Sequence, residues 1–405
     1  MVSRIRRPTG KTKRVFFHVG APKTGTTYLQ SVLFQNRHKL AKAGVLYPYT
    51  DPGQHFRSAQ DFRGVGWGGG SADEFAGEWE IVAERVRRWN GHTIICSNEL
   101  LSGSSVERIE SSAATLGDVE VNVIYSARDL ARQLVSDWQE HIKHRHTITL
   151  EKFVDDLIEL GLDAPEPFGQ FFWGMHDAAY VLDRWSSVAP AESIHVVTLP
   201  QSGGPKSALW QRFCAATGLD AADYDTKSSK ANASMGVAET ELVRRMNFGV
   251  AEMAPHIYDS LVRCYLAEEV LSSGGQSARI TLPPGRCDWV SQRSEQLIKE
   301  LRGAGYSVYG DLTELLPRSS DDLEHQSPTA LTEQDLGPAA LRAATALLAK
   351  SGQQRKRISR LQGRLQEARS DSSLQNDARQ LYRRVRHTAG RVARGAVHDD
   401  EETND

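Results

Sequence analysis

An α/β fold, an open parallel sheet with helices on both faces, is predicted by two observations. Apolar runs of strand length alternate with helical stretches, and several of those runs stop at residues able to carry chemistry. In such folds ligands sit in the crevice at the carboxyl ends of the strands.

The first run, Phe16-Phe17-His18-Val19, enters the loop Gly20-Ala21-Pro22-Lys23-Thr24-Gly25 and then a helix beginning Thr26-Thr27-Tyr28. Gly20 and Gly25 allow close backbone approach, so successive N–H groups and the positive end of the helix dipole converge on an anion. The nucleotide-binding P-loop, G-x-x-x-x-G-K-[ST], sets its lysine directly after the second glycine. Here the glycine spacing is kept, but Thr26 takes that place and Lys23 lies inside the loop. The other reading of these residues is a Gly/Thr-rich turn capping a helix, with Lys23 solvated.

Residues 44–48 read as a short extended piece. A polar, glycine-dense loop is expected over 51–71, where His55 and Trp67 stand with Gly64, Gly66, Gly68, Gly69 and Gly70. It is read either as a mobile acceptor lid or as a plain connection. A helix over 72–89 leads to a buried strand over 93–96, which stops at Ser97-Asn98-Glu99. After a further helical stretch, the strand at 119–125 ends at Ser126-Ala127-Arg128-Asp129, and a helix near 178–187 precedes a strand at 194–199. From Ala238 the pattern is helical, including 289–301, and the globular part closes at 310–317. The loop at 20–27, Glu99 and Arg128 thus fall at strand carboxyl ends and converge on one crevice.

The organisation expected is a basic leader over 1–13, one domain over 14–317, a polar linker over 318–349 and a basic tail over 350–405 with an acidic end. Net charge is −2, yet residues 350–398 carry 13 Lys and Arg against three acids. In that tail Ile358, Leu361 and Leu365 share a helical face, as do Leu374, Leu381, Val385 and Val392, with Ser370-Asp371-Ser372-Ser373 between them. It reads as a disordered solubilising tail, or as a basic amphipathic helix or weak coiled coil for peripheral membrane contact or self-association. Nucleic acid is not the expected partner.

Hydrophobic content of 40% and charged content of 25% are those of an ordinary globular protein. No apolar run reaches the roughly 18 residues of a membrane span, and the basic N-terminus is not followed by a signal-peptide core. Cys96, Cys214, Cys264 and Cys287 are widely spaced, so neither a disulfide framework nor a thiolate zinc site is suggested. A cytoplasmic location is expected.

Pro22-Lys23-Thr24-Gly25-Thr26-Thr27 resembles the 5′-phosphosulfate loop of PAPS-dependent sulfotransferases, P-K-[ST]-G-T-T, at every position. The second motif, Arg128 closing a strand with Ser136 eight positions later in the next helix, resembles that family's 3′-phosphate site. Independently of the family, a guanidinium offers a fork of donors to phosphate, and a hydroxyl two turns on completes the coordination. A structural pair between Arg128 and Asp129 is the plain alternative. The resemblance spans about residues 14–317, rests on these two motifs, and leans toward bacterial, carbohydrate-type members. Where many members have Trp after the two threonines, this chain has Tyr28.

What the resemblance implies is a P-loop-like sulfotransferase fold and metal-free in-line transfer from PAPS, leaving adenosine 3′,5′-bisphosphate. The acceptor hydroxyl or amine is expected on a carbohydrate, glycolipid or other small molecule. Lys23 is expected at the bridging oxygen and sulfuryl group, Thr26 and Thr27 at the 5′-phosphate, and Arg128 and Ser136 at the 3′-phosphate. Pro22, Thr24, Gly25 and Tyr28 complete the cofactor loop. Glu99 is the first choice of base, with helix capping or pairing to Lys23 or Arg128 as its other reading; His55 is the second choice. Residues 228–236 are similar to a polar segment of bacterial members and add Lys230, Asn232 or Ser234 to the site, or else form a helix-capping turn. His141, His144 and His146 lack a zinc pattern and are read as surface or acceptor-contacting residues. Trp138 is read as facing the acceptor or packing in the core. The rival readings are a P-loop kinase or triphosphatase, weakened by the missing Gly-Lys-[ST], and a non-catalytic nucleotide-binding protein.

Overall fold

The computed structural model describes residues 12–205, 207–227, 234–273, 277–318 and 325–370, in two units that divide between Ala339 and Ala340. In the first unit six parallel strands form one sheet: β1 (Lys13–His18), β2 (Val45–Leu46), β3 (Thr93–Ser97), β4 (Val119–Ala127), β5 (Ile194–Thr198) and β6 (Ser307–Tyr309). Their order is β2-β3-β1-β4-β5-β6, so β1 lies between β3 and β4, with His18 level with Ser97 and Ile124. Both partners of β1 are therefore strands that end in candidate site residues.

Side chains alternate across β1 as the pleat requires. Phe17 meets Phe62, Trp79 and Trp185 on one face, and His18 meets Phe213 on the other. Burying large rings on both faces explains why the central strands read as continuous apolar runs. His18 is itself buried, with Nδ1 2.8 Å from Ser97 Oγ and Nε2 3.0 Å from Ser126 Oγ. It ties the ends of three strands together directly beneath the first loop.

The crossovers supply the helices. α1 (Thr26–Gln35) and α2 (Arg37–Lys42) connect β1 to β2, while α3 (Gln54–Arg63) and α4 (Glu78–Arg88) precede β3. α5 (Val106–Ala114) leads to β4. Between β4 and β5 run α6 (Leu130–Lys143), α7 (Leu150–Leu160), α8 (Phe168–His176) and α9 (Ala178–Trp185). α10 (Ala208–Thr217), α11 (Val237–Gly249), α12 (Pro255–Tyr258), a π-helix (Asp259–Leu271) and α13 (Cys287–Gly303) fill the last crossover.

Three expectations are corrected here and one strand is added. The loop expected over 51–71 is half helix, because Ala59 and Phe62 on α3 are buried against the core despite the polar composition around them. The helix expected over 72–89 is interrupted at Gly77, whose φ of 87° starts α4 anew after a 3₁₀ turn. Strand β6 was not foreseen, since three half-exposed residues carry no apolar run. The linker expected over 318–349 is largely structured: Leu331 and Leu336 pack with Val237 and Ala238, and α14 (Glu333–Ser370) begins there.

In the second unit α14 continues from Ala340, with Leu341, Leu348, Ile358 and Leu361 exposed. Leu374, Leu381, Val385 and Val392 lie outside the described residues, as does the leader up to residue 11. Among the described residues no helix is long and apolar enough to cross a membrane.

Candidate active site

The loop leaving β1 stays beside β4, with Val19 N–H donating to Ile124 O and Ala21 N–H to Ser126 O. Gly20 has φ +122°, and a Cβ there would stand 3.2 Å from the Glu99 carbonyl; Gly25, with φ +83°, would drive a Cβ to 2.6 Å from Leu209. Gly20 is thus favoured by conformation and by the backbone crowded against it, and Gly25 by its conformation. Thr24 is buried and its hydroxyl donates to Ala21 O at 2.6 Å, a bond that closes the turn from within.

Two side chains of the β4–α6 junction hold the loop's carbonyls. Gln133 Nε2 donates to Pro22 O at 2.8 Å, and Arg128 Nη1 donates to Lys23 O at 3.0 Å. Among the described residues, the N–H groups of Lys23, Thr24, Gly25, Thr26 and Thr27 have no partner, and α1 has no side-chain cap. Unpaired donors at a helix N-terminus make an anion cradle. Pro22 and Thr26 are buried beneath it, Thr27 is exposed, and Tyr28 packs against the sheet core.

Arg128 follows β4, and Asp129 caps α6 by accepting from Arg132 N–H at 2.9 Å. Nη1 of Arg128 also donates to Ser136 Oγ at 3.0 Å, so the spacing of eight read from the sequence closes in space. Asp129 is engaged by Arg132 and not by Arg128. Burial first, then the neighbouring Arg132, lowers the Arg128 guanidinium to about 10. Asp129 acts against this lowering without offsetting it, and a cation that is penalised by burial favours the arrival of an anion.

Lys23 Nζ stands 2.7 Å from Glu140 Oε2, one helical turn beyond Ser136 on α6. Burial pulls the Lys23 ammonium down, but Glu140, then Asp137 and Glu99, outweigh it and leave its pKa raised. Glu140 in turn lies 2.5 Å from Lys143 and 3.5 Å from His144. Burial pushes its carboxyl up, yet Lys23, His144 and Lys143 together hold it well below the usual range. The sequence reading missed Glu140 and Gln133. Their helical spacing from Ser136 and Arg128 was available, but only the fold brings them to residues more than 100 positions away.

Beneath the loop Asp137 is buried between His176 at 3.2 Å and His141 at 3.3 Å. Burial raises its carboxyl, but the two imidazoles outweigh burial and keep it ionised. Gln133 contacts His176 Nδ1 as well as Pro22 O, so the loop backbone rests on this buried pair. The expectation of a surface His141 is corrected: it is buried and packs edge-on to Phe168 at 4.9 Å. Trp138 is fully buried and donates to Ile148 O, which makes it a core residue. His144 meets Trp67 at 5.9 Å, so the glycine-dense segment lies beside the Glu140 end of α6.

Glu99 opens a 3₁₀ turn that is capped by Asn98, and its Oε2 accepts from Gln30 Nε2 at 2.8 Å. The capping role therefore belongs to Asn98. Asn98 Oδ1 is taken by Leu100 N–H, which fixes the amide so that its Nδ2 donates to His55 Nδ1 at 3.0 Å. This bond assigns the neutral ring its hydrogen on Nε2. Burial lowers the His55 pKa, with Glu99 acting against it. Lys230 and Asn232 lie outside the described residues; Ser234 is exposed, and α11 is capped by Gly236 without a side-chain bond, so Ser234 is not its cap. Among the described residues no group of three or more His, Cys, Asp or Glu is arranged to hold a metal ion.

No family model and no curated protein matches the chain. Among solved structures, a sulfotransferase from Alicyclobacillus acidocaldarius is similar over 64% of this chain and 96% of its own, at 17% identity and a TM-score of 0.36.

Proposed function

We propose that the chain is a sulfotransferase that moves the sulfuryl group of PAPS to a hydroxyl or amine of a carbohydrate, glycolipid or other small acceptor. The observation that carries this reading is Arg128: a part-buried guanidinium whose neighbour Asp129 is ion-paired to Arg132 instead, and which is bonded to Ser136 and to the carbonyl of the loop lysine. It sits beside five unpaired loop N–H groups, so two anion positions adjoin one lysine. A donor with separate 5′- and 3′-phosphates satisfies both positions.

In the reaction the acceptor oxygen attacks sulfur in line, the sulfur–oxygen bond to the 5′-phosphate breaks, and the electron pair stays on that phosphate. Lys23 neutralises the leaving oxygen, the N–H groups of residues 23–27 hold the 5′-phosphate, and Arg128 and Ser136 hold the 3′-phosphate. The acceptor's proton passes to a base, with Glu99 as first choice; His55, the second, accepts it only by giving up the Asn98 bond at Nδ1. The test is calorimetry with adenosine 3′,5′-bisphosphate, followed by labelled PAPS incubated with extracts of the source organism and mass spectrometry for an added sulfuryl group. Binding and label transfer are expected; absence of bisphosphate binding overturns the reading.

A further inference from the structure

The cradle holds one cation that is already neutralised. Among the described residues the loop N–H groups meet no acceptor and Arg128 leaves its neighbour Asp129 to Arg132, whereas Lys23 is ion-paired with Glu140 at 2.7 Å. Glu140 is not dependent on that pair, because Lys143 at 2.5 Å and His144 at 3.5 Å remain on it. Lys23 is about one-third exposed, and its four-carbon stem allows the ammonium to turn without moving the loop.

We infer that Glu140 is an internal counter-ion, displaced from Lys23 when the phosphate end of the donor enters the loop, an inference that rests on the sulfotransferase reading of the site. The exchange swaps one anion for another on the same ammonium. Before the exchange Glu140 favours the charged form of Lys23, and it sets an anion in the donor's way. Once released, the carboxylate stands beside the group that faces the reacting centre, still held by Lys143 and His144. Glu140 therefore acts as a positioning residue through Lys23, and its removal strengthens anion binding instead of weakening it.

The test is calorimetric titration of the full chain with adenosine 3′,5′-bisphosphate, for the wild type, Glu140→Gln, Lys23→Ala and the double variant. Glu140→Gln is expected to bind about three- to tenfold tighter at pH 7. In the Lys23→Ala background the same substitution is expected to change affinity little, because the two residues act as a pair. Glu140→Asp, a shorter carboxylate, is expected between wild type and Gln, and serves if the Gln variant misfolds. Weaker or unchanged binding by Glu140→Gln, or a gain that persists in the Lys23→Ala background, overturns the inference while the wild type still binds. A wild type that binds no bisphosphate removes the sulfotransferase reading beneath it.

Discussion

Arg128 donates from one nitrogen to Ser136 Oγ and to the carbonyl of Lys23, each at 3.0 Å. The first bond ties the β4–α6 junction to the second turn of α6, and the second spans 105 positions to fix the loop. A single guanidinium thus sets the distance between the loop and the candidate 3′-phosphate position, which links loop geometry to ligand binding.

Arg128→Ala is expected to weaken binding of adenosine 3′,5′-bisphosphate by roughly 10- to 150-fold, the range for a charge-assisted hydrogen bond of about 1.5–3 kcal/mol. Ser136→Ala removes only a neutral hydroxyl and is expected to cost roughly fivefold. Calorimetry gives both values. An unchanged affinity in Arg128→Ala removes the 3′-phosphate assignment, and a melting scan reports how much of any loss comes from the freed Lys23 carbonyl.

Lys23→Ala is expected to leave the fold intact, because the Lys23 side chain is partly exposed and its recorded partner is Glu140. Turnover is expected to fall by about 100-fold or more, as when a group that stabilises charge on a leaving oxygen is lost. Sulfuryl transfer measured on the acceptor found by mass spectrometry checks this. Turnover within about threefold of wild type, by the same stabilisation argument, shifts the charge-stabilising role to Arg128 or the loop N–H groups.

The central sheet was legible because β1, β3, β4 and β5 are buried and carry apolar runs, and the loop after β1 was legible because its glycines lie within six consecutive residues. Arg128 and Ser136 were legible for the same reason: their relationship is a helical spacing. The Lys23–Glu140 pair spans 117 positions, and no local period encodes it. Helix α3 escaped notice because its polar composition masked two buried apolar positions, and β6 because its residues are only half covered. Sequence pattern reports local geometry and burial; contacts created by a crossover require the fold.

Glu99→Gln tests the choice of base. The Gln30 amide that donates to Glu99 Oε2 can donate equally to a glutamine oxygen, so the local structure is expected to survive. If Glu99 takes the acceptor proton, turnover falls by roughly 100- to 10,000-fold with bisphosphate affinity held. Near-normal turnover moves the role elsewhere. His55 is then tested as His55→Gln, with its Nδ1 already engaged by Asn98 and Nε2 carrying the hydrogen of the neutral ring.

His18 predicts a pH dependence of stability whose sign follows from burial. Desolvation lowers its pKa from 6.5 to about 3, so the folded ring is neutral while the unfolded ring titrates at its ordinary value. Between those values the unfolded chain binds more protons, and stability is therefore full above pH 6.5 and lost as pH falls, by up to about 1.4 kcal/mol per unit. His55, His146 and His195 are lowered by burial too and slope the same way, so the wild-type curve alone does not isolate His18. Chemical denaturation of wild type and His18→Gln from pH 7 to pH 4.5 does. The variant is expected to be less stable at pH 7, having lost the bridge between Ser97 and Ser126, and to lose less further stability on acidification. Parallel curves would mean that His18 takes up its proton in the folded state, and that the ring tying β3 to β4 is not held neutral by its burial.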